Sequence, residues 1–112
     1  MNKLILSFCV LVLFSCSAKL LVPTQADADR GMTKYEGLTL ASLNEGKSLF
    51  EQNCSKCHGL KSPTSRNEEK WNKIVPIMVK KVNKKAGKEE IDAAEEQLIL
   101  KYLVNMSTAP GK

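Results

Sequence analysis

Apolar residues recur every three or four positions from residue 42 onward, which is the period of a helix with one buried face. In the first such stretch, Ser42 or Asn44 can cap the N-terminus. The last stretch begins at Asp92, and Glu95 follows three residues later as in a capping box. The predicted buried faces are Leu43, Gly46, Phe50 and Cys54 in the first helix, and Leu98, Ile99, Tyr102, Leu103 and Met106 in the last.

A middle helix is predicted to begin near Ser65 or Asn67 and to stop at Gly87. Pro76 interrupts it, because proline lacks a backbone N–H and clashes with the preceding turn. The sequence therefore allows either one kinked helix or two helices, the second beginning at Pro76. No segment alternates with the period of a strand, so we predict an all-α domain over residues 42–108. The apolar stripe of the middle region is Trp71, Ile74, Val75, Met78, Val79 and Val82.

The N-terminal residues have the pattern of an export signal. Lys3 precedes an apolar run from Leu4 to Phe14, which is too short to span a bilayer as a helix. The segment 17–41 that follows is dominated by small and polar residues. It predicts either a flexible linker or an ordered strap in which residues such as Val22, Pro23 and Tyr35 pack on the helical domain.

The end of the signal, Leu13-Phe14-Ser15-Cys16, resembles the lipobox of bacterial lipoproteins. The resemblance implies that residues 1–15 are a lipoprotein signal peptide and that Cys16 becomes the first residue of the mature chain and carries a lipid. Residues 16–41 would then be a lipid-anchored tether or arm. The protein would lie on a membrane of the bacterial cell envelope, facing the periplasm or the cell surface. The alternative is a plain signal peptide that is cleaved near Ala18.

Of four cysteines in 112 residues, only Cys54 and Cys57 lie in the predicted domain, so there is no disulfide framework to build. With His58 they form a CxxCH motif, the spacing of covalent haem attachment. The two thiols can add to the vinyl groups on one edge of a porphyrin, and the adjacent imidazole can ligate its iron. A redox dithiol and half of a zinc site are the alternatives. The sequence around the motif has no βαβ pattern, which a redox dithiol would be expected to have. It also has no second Cys/His pair, which a zinc site would need.

Residues 44–106 resemble a small class I cytochrome c domain of the bacterial type. That resemblance implies three to four helices packed around one covalently attached haem c, with the first helix crossing the last. Beside the CxxCH motif, the residues that carry it are Gly46 and Phe50 in the first helix, the segment from Arg66 to Trp71 followed by Met78, and Ile99 with Tyr102 in the last helix.

The second axial ligand of the iron follows by elimination, because His58 is the only histidine. A methionine thioether is the obvious partner. Met78 and Met106 both lie on predicted apolar stripes, where a methionine usually fills the core. We expect Met78 to be the distal ligand, as the resemblance also implies, with Met106 as the alternative. Met32, a lysine or an open iron position are the remaining options.

Three other residues have expected roles near the motif. The region of Pro63 can offer a backbone carbonyl to the second ring nitrogen of His58. Arg66 can pair with a haem propionate or can simply be exposed. Trp71 packs either against the haem or in an ordinary core.

The chain has a formal net charge of +5, and several lysines cluster at the end of the middle helix. They form either a solvated surface that complements the helix dipole or a docking patch for an acidic redox partner. Nucleic-acid binding fits poorly with an exported protein. The clustered residues are Lys80, Lys81, Lys84, Lys85 and Lys88.

Together these features predict a membrane-anchored monohaem c-type cytochrome. We expect it to transfer single electrons between periplasmic or membrane redox partners through His/Met-ligated iron, as a carrier and not as an enzyme. One alternative is a haem-based gas-binding or sensor protein with a labile distal ligand. Another is a dithiol oxidoreductase that contains no haem.

Overall fold

The computed structural model describes residues 20–54 and 60–110 of the chain. In these two ranges the backbone forms four α-helices, one 3₁₀ turn and no strand, so the described part of the protein is all-α. The helices are α1 (Gln25–Gly31), α2 (Leu40–Cys54), α3 (Glu68–Ala86) and α4 (Ala93–Ser107), and the 3₁₀ turn is Pro63–Ser65. None of these helices is both long and apolar enough to cross a membrane.

Three predicted helix termini are confirmed. The Asn67 side chain accepts a hydrogen bond from the backbone N–H of Lys70 at 2.9 Å and so caps α3. Asp92 and Glu95 form the complete capping box at the start of α4. At the other end of α3, Gly87 adopts a left-handed backbone with φ of 69°, which ends the helix as predicted.

The start of α2 was predicted too late. The helix begins at Leu40, because Thr39 and Ser42 exchange hydrogen bonds across the first turn. The Thr39 hydroxyl accepts from the backbone N–H of Ser42, and the Ser42 hydroxyl accepts from the backbone N–H of Thr39, each at 3.1 Å. Thr39 therefore occupies the capping position, and Ser42 is the reciprocal partner within the helix.

Pro76 lies inside α3, which continues through it from Glu68 to Ala86. Of the two alternatives, the one with separate helices is wrong. Pro76 and Asn72, whose carbonyl loses its helical partner, are both exposed. Water can therefore satisfy that carbonyl, which makes the interruption tolerable on this side of the helix.

The core forms where α2 crosses α4. A Cβ atom at Gly46 would lie 2.1 Å from the carbonyl oxygen of Leu98 and 3.0 Å from the Cβ of Tyr102. Only glycine permits this approach of one backbone to the other. The predicted stripe of α2 is buried at this crossing, as are four of the five predicted α4 residues. The exception is Leu98, which is partly exposed.

Residues 20–38 form a strap that packs on α2 and α4, as the second of the two alternatives for this segment describes. Leu20, Ala28 and Leu38 are buried, and Tyr35 packs beside them. Val22 departs from the expectation because 68% of it is exposed, whereas its neighbour Pro23 is buried. The helix α1 within the strap had no counterpart among the predicted elements.

Three hydrogen bonds join the strap to α4. The Tyr102 hydroxyl donates to the Leu21 carbonyl at 2.8 Å, and burial, together with the charge of Glu51, raises the pKa of this phenol far above its usual value. The Asn105 side-chain N–H donates to the Asp27 carbonyl at 2.9 Å, and Arg30 donates to the Asn105 carbonyl at 2.9 Å. The strap is thereby fixed to the end of the last helix.

Asp27 is a buried carboxylate within the strap. Burial alone would raise the pKa of its carboxyl group, but hydrogen bonds from Arg30 and Thr24 outweigh burial and hold the pKa below the ordinary value of 3.8. The Arg30 bond is 2.7 Å long. Because the folded protein binds this proton more weakly than the unfolded chain does, the carboxylate stabilises the fold above the unfolded pKa. That contribution is lost as the pH falls through the folded pKa.

We therefore expect Asp27→Asn to lower the free energy of unfolding at neutral pH by about 1.5–3 kcal/mol, the range for hydrogen bonds to charged groups. The difference between the two proteins should shrink as the pH falls below the carboxyl's ordinary value. Urea unfolding at a series of pH values measures it. A difference that stayed constant down to low pH would show that the charge of Asp27 does not matter.

Candidate cofactor site

The described part of the site begins at Cys54, which is buried as the last residue of α2. The predicted site residues Cys57 and His58, and the predicted lipidation site Cys16, lie outside the described residues. The chain is described again from Leu60, and the 3₁₀ turn then leads into α3. The two residues that flank the undescribed segment 55–59, Cys54 and Leu60, therefore line one cavity together.

This cavity lies between the end of α2 and one face of α3. The cavity volume is about 200 Å³, below the range of about 300–1,000 Å³ that is usual for cofactor and ligand sites, and its mouth is open to solvent. Its wall is largely apolar, with cationic groups at three positions. The lining residues are Phe50, Asn53, Cys54, Leu60, Lys61, Arg66, Trp71, Ile74, Met78, Lys81 and Val82.

Aromatic rings form part of the cavity wall. Phe50 and Trp71 meet edge to face, with ring centroids 6.4 Å apart and an interplanar angle of 82°. Phe50 also contacts Tyr102 of α4, again with centroids 6.4 Å apart. Each of these rings is at most 1% exposed, so the wall is rigidly packed from behind. Trp71 is thus at the same time a core residue and part of the cavity lining.

The Trp71 indole N–H donates to the carbonyl oxygen of Pro63 at 2.8 Å. This buried bond ties the 3₁₀ turn to α3 and fixes the segment that follows the CxxCH motif. It also engages the carbonyl that the sequence suggested as the partner of His58. A carbonyl oxygen has two lone pairs, so one further donor can still be accepted there.

The methionines are placed differently. Met78 is partly buried and lines the cavity together with Cys54. Met106 is 2% exposed and lines a separate groove beside the strap residue Leu20. Met32 is 50% exposed. Of the methionine candidates for a distal ligand, Met78 is the one that the structure brings to the cavity.

Positive charge surrounds the cavity through Lys61, Arg66 and Lys81. The Arg66 guanidinium carbon lies 5.4 Å from the Trp71 ring centroid, a cation–π contact that holds the side chain over the indole. Lys61 and Lys81 had no assigned place in the cavity at the sequence level. Lys61 follows the motif by a few residues, and Lys81 lies one helical turn after Ile77. Lys81 lies three residues after Met78 on α3, so helical spacing could have indicated the position of Lys81 but not that of Lys61.

The five clustered lysines, at positions 80, 81, 84, 85 and 88, are all exposed along the C-terminal part of α3 and just beyond it. Lys88 forms an ion pair of 3.8 Å with Glu90. Lys81 belongs both to this cluster and to the cavity lining. The lysine cluster therefore adjoins the cavity.

No protein-family model matches this chain, and neither the curated proteins nor the solved structures contain a match. Within residues 20–54 and 60–110 there is also no group of three His, Cys, Asp or Glu side chains that could hold a metal ion. The function must therefore be inferred from the motif and the cavity.

The described residues fit a haem in three respects. The cavity is largely apolar, has aromatic rings in its wall and is open on one side, which suits contact with the face of a porphyrin. The thiol of Cys54 is the kind of group that adds to a haem vinyl in c-type attachment, and the thioether of Met78 is a soft donor of the kind that ligates haem iron. Cationic groups at Lys61, Arg66 and Lys81 offer charge for carboxylates.

Proposed function

We propose that this protein is a lipid-anchored monohaem c-type cytochrome that carries single electrons between redox partners of a bacterial cell envelope. The observation that supports it best is the cavity, which combines the motif residue Cys54 with Met78 in one apolar wall. A CxxCH motif beside a surface without such a cavity would leave a porphyrin without a place to pack. The proposed fold is accordingly a small cytochrome c domain.

In this proposal Cys54 and Cys57 hold the haem through thioether bonds, His58 is the proximal ligand and Met78 is the distal ligand. The bound haem supplies a reversible one-electron change at iron, and a thioether ligand favours a relatively high reduction potential. Phe50 and Trp71 exclude water from one side of the cavity. If His58 and Met78 both ligated the iron of a bound haem, no position would be left for substrate chemistry, and the proposed role is therefore that of a carrier.

The choice of Met78 over Met106 is supported by their surroundings. Met78 lies on the turn of α3 between Ile74 and Val82, and all three line the cavity. Met106 is packed at the end of α4 beside the strap. Reaching the cavity from there would require the strap and α4 to separate, at the cost of the hydrogen bonds of Asn105 and Tyr102 to it.

Arg66 is a candidate partner for a haem propionate. Its guanidinium is already held over Trp71 at the cavity, so little side-chain entropy is lost when it pairs with a carboxylate. Lys61 and Lys81 supply further charge at the same cavity. These residues place and neutralise the acidic groups of the cofactor.

The lysine cluster defined above is the proposed docking surface for an acidic redox partner. Its charges lie beside the cavity, where electrons would enter and leave. Complementary charge raises the encounter rate without requiring a long-lived complex, as suits a carrier.

We expect the double variant Lys80→Glu, Lys81→Glu to be oxidised roughly tenfold more slowly by the hexacyanoferrate(III) anion at low salt, at the lower end of electrostatic steering effects. Stopped-flow absorbance measures the rate. The difference should largely vanish at high ionic strength. Lys70→Glu, Lys73→Glu is the matched control, since it changes the net charge equally on the same helix. Equal slowing in both variants would contradict a localised docking surface.

A pyridine haemochrome spectrum of the purified protein tests the proposed function. The protein should be produced in a host with a cytochrome c maturation system, beside the double variant Cys54→Ser, Cys57→Ser. We expect the spectrum of a haem with both vinyl groups saturated in the first protein and no covalent pigment in the second. A colourless parent protein would contradict the proposal and favour a dithiol oxidoreductase.

Carbon monoxide distinguishes the carrier from a gas-binding protein with a labile distal ligand. We expect the Soret band of the ferrous protein to change slowly or not at all on addition of the gas, because the distal position is filled by the chain. Fast and complete binding would favour the gas-binding alternative.

A further inference from the structure

The described chain begins at Leu20, which already belongs to the packed domain, and no free arm lies between this residue and α1. Leu20 is 7% exposed and belongs to the main core cluster. The next residue, Leu21, accepts the Tyr102 hydroxyl bond through its carbonyl. Farther along the strap, the Asn105 side chain of α4 donates a buried hydrogen bond to the Asp27 carbonyl and so attaches the strap to α4 a second time. Both ends of the interval 21–27 are therefore fixed to the same helix.

The distance from this fixed point to Cys16 is short. Four peptide units separate Cys16 from Leu20, and a fully extended chain spans at most about 3.3–3.6 Å per residue, or about 14 Å in all. A flexible tether of the whole segment 17–41 would instead have reached about 25–30 Å on average. A lipid on Cys16 would therefore hold Leu20 close to the headgroup layer.

Although Thr24, Asp27 and Arg30 also line the groove beside Leu20, part of the surface around this residue is apolar. We call it the anchor face and define it as Leu21, Val22, Ala109 and Pro110, which border a groove between the strap and the end of α4. Val22 is 68% exposed, among the most exposed large apolar residues described. Leu21 and Ala109 are partly exposed, and Pro110 is exposed. An apolar side chain of this kind gains free energy when an interface covers it.

We propose that the anchor face lies against the membrane surface and that the strap holds the cavity-bearing domain in one orientation on the bilayer. This inference rests on the lipidation of Cys16 in the proposed function. The bilayer is the occupant of the anchor face because the chain holds Leu20, which borders that face, within about 14 Å of the lipid-bearing residue. Acyl chains on Cys16 stay in the bilayer, since each CH₂ withdrawn would cost about 0.8 kcal/mol.

The strap thus has a task that a flexible linker cannot perform. A linker would let the domain rotate freely above the membrane, so every face would meet membrane-bound partners equally often. A strap that is bonded to α4 at Leu21, Asp27 and Arg30 transmits the position of the anchor to the rigid core. The orientation of the electron-transfer cavity relative to the membrane then follows from the fold.

Cysteine labelling at Val22 tests the inference. The full precursor carrying Val22→Cys is processed in a bacterial host, purified and reconstituted into phosphatidylethanolamine–phosphatidylglycerol vesicles. It is then treated with a polyethylene-glycol maleimide too large to enter the headgroup layer. The labelling rate is proportional to the fraction of time for which the site is uncovered. We expect the site to be uncovered about a tenth of the time, and so roughly tenfold slower labelling than in the chain that begins at Ser17 and carries no lipid.

Ile77→Cys is the matched control, because Ile77 is also a large apolar residue, 55% exposed, and belongs to α3. Its labelling rate should be the same in the vesicle-bound and lipid-free proteins. A Gly/Ser insertion after Ala18 should restore fast labelling at position 22 in vesicles. Equal rates with and without lipid at position 22, or equal protection at both positions, would overturn the inference. So would a protein whose Cys16 carries no lipid by mass spectrometry.

The parent protein without an added cysteine separates this result from the haem proposal. If Cys54 and Cys57 carry no haem, the parent itself becomes labelled after mild denaturation, whatever happens at position 22. The proposed orientation can therefore be refuted while the haem assignment holds. The reverse result, a confirmed orientation without haem, can be recognised in the same experiment.

Discussion

Gly46→Ala should destabilise the protein by about 3 kcal/mol, at the upper end of the usual cost of overpacking a core. The added methyl group would lie 2.1 Å from the Leu98 carbonyl oxygen, which belongs to the α4 backbone and cannot rotate away. The two helices must therefore move apart, and the Phe50–Tyr102 contact behind the cavity loosens with them. Urea unfolding followed by circular dichroism measures the loss.

Asn44→Ala is the control for this substitution. Asn44 is exposed on α2 two residues before Gly46, and exposed substitutions of this kind usually stay within about 0.5 kcal/mol of the parent. If Gly46→Ala were as stable as the control, the close crossing of α2 and α4 would be refuted. The cavity wall that depends on that crossing would lose its explanation.

Met78→Ala should abolish the far-red absorption band that arises from thioether-to-ferric-iron charge transfer, and should lower the reduction potential. The expected decrease is on the order of 100 mV, a fraction of the roughly 0.8 V range that axial ligands span. The physical reason is that a thioether favours ferrous iron, whereas water or a lysine in its place favours the ferric state. Visible spectroscopy and a redox titration of the purified protein measure both effects.

Met106→Ala is the matched control for the ligand assignment. The band and the potential should persist in this variant, because Met106 lies beside the strap. Its stability should fall by about 2–5 kcal/mol, as for other buried methionines that are truncated to alanine. Loss of the band in Met106→Ala and its retention in Met78→Ala would reverse the assignment.

Local chemistry explains which parts of the fold could be predicted. Asn67 and Asp92 cap their helices through bonds to residues three positions away, so the signal lies within one turn of sequence. The apolar stripe of α3 likewise indicates which face of this helix is buried. Pro76 was ambiguous because its effect depends on whether the Asn72 carbonyl faces water, which periodicity alone does not reveal.

The strap could not be predicted because its stability comes from residues far away in the chain. Asp27 looks like an ordinary surface carboxylate until Asn105, 78 positions later, donates to its backbone. Helix α1 has seven residues, too few to form alone in water. Its capping box at Thr24 is a local signal, but only the packing on α2 and α4 explains why the helix persists.

The candidate site was partly predictable for the same reason. The CxxCH motif is contiguous and carries its own chemical meaning, so Cys54, Cys57 and His58 could be selected without a fold. Met78 and Met106 could not be separated by periodicity because both lie on apolar stripes. The structure separates them, since a cavity adjoins one of them and the strap adjoins the other.

Covalent attachment of haem is the claim on which the proposed function depends, and extraction with acidified acetone followed by intact-protein mass spectrometry tests it most directly. We predict that the red pigment stays with the protein and that the segment containing Cys54 and Cys57 carries the mass of one haem. Complete extraction of the pigment, with both cysteines left unmodified, would contradict the proposal.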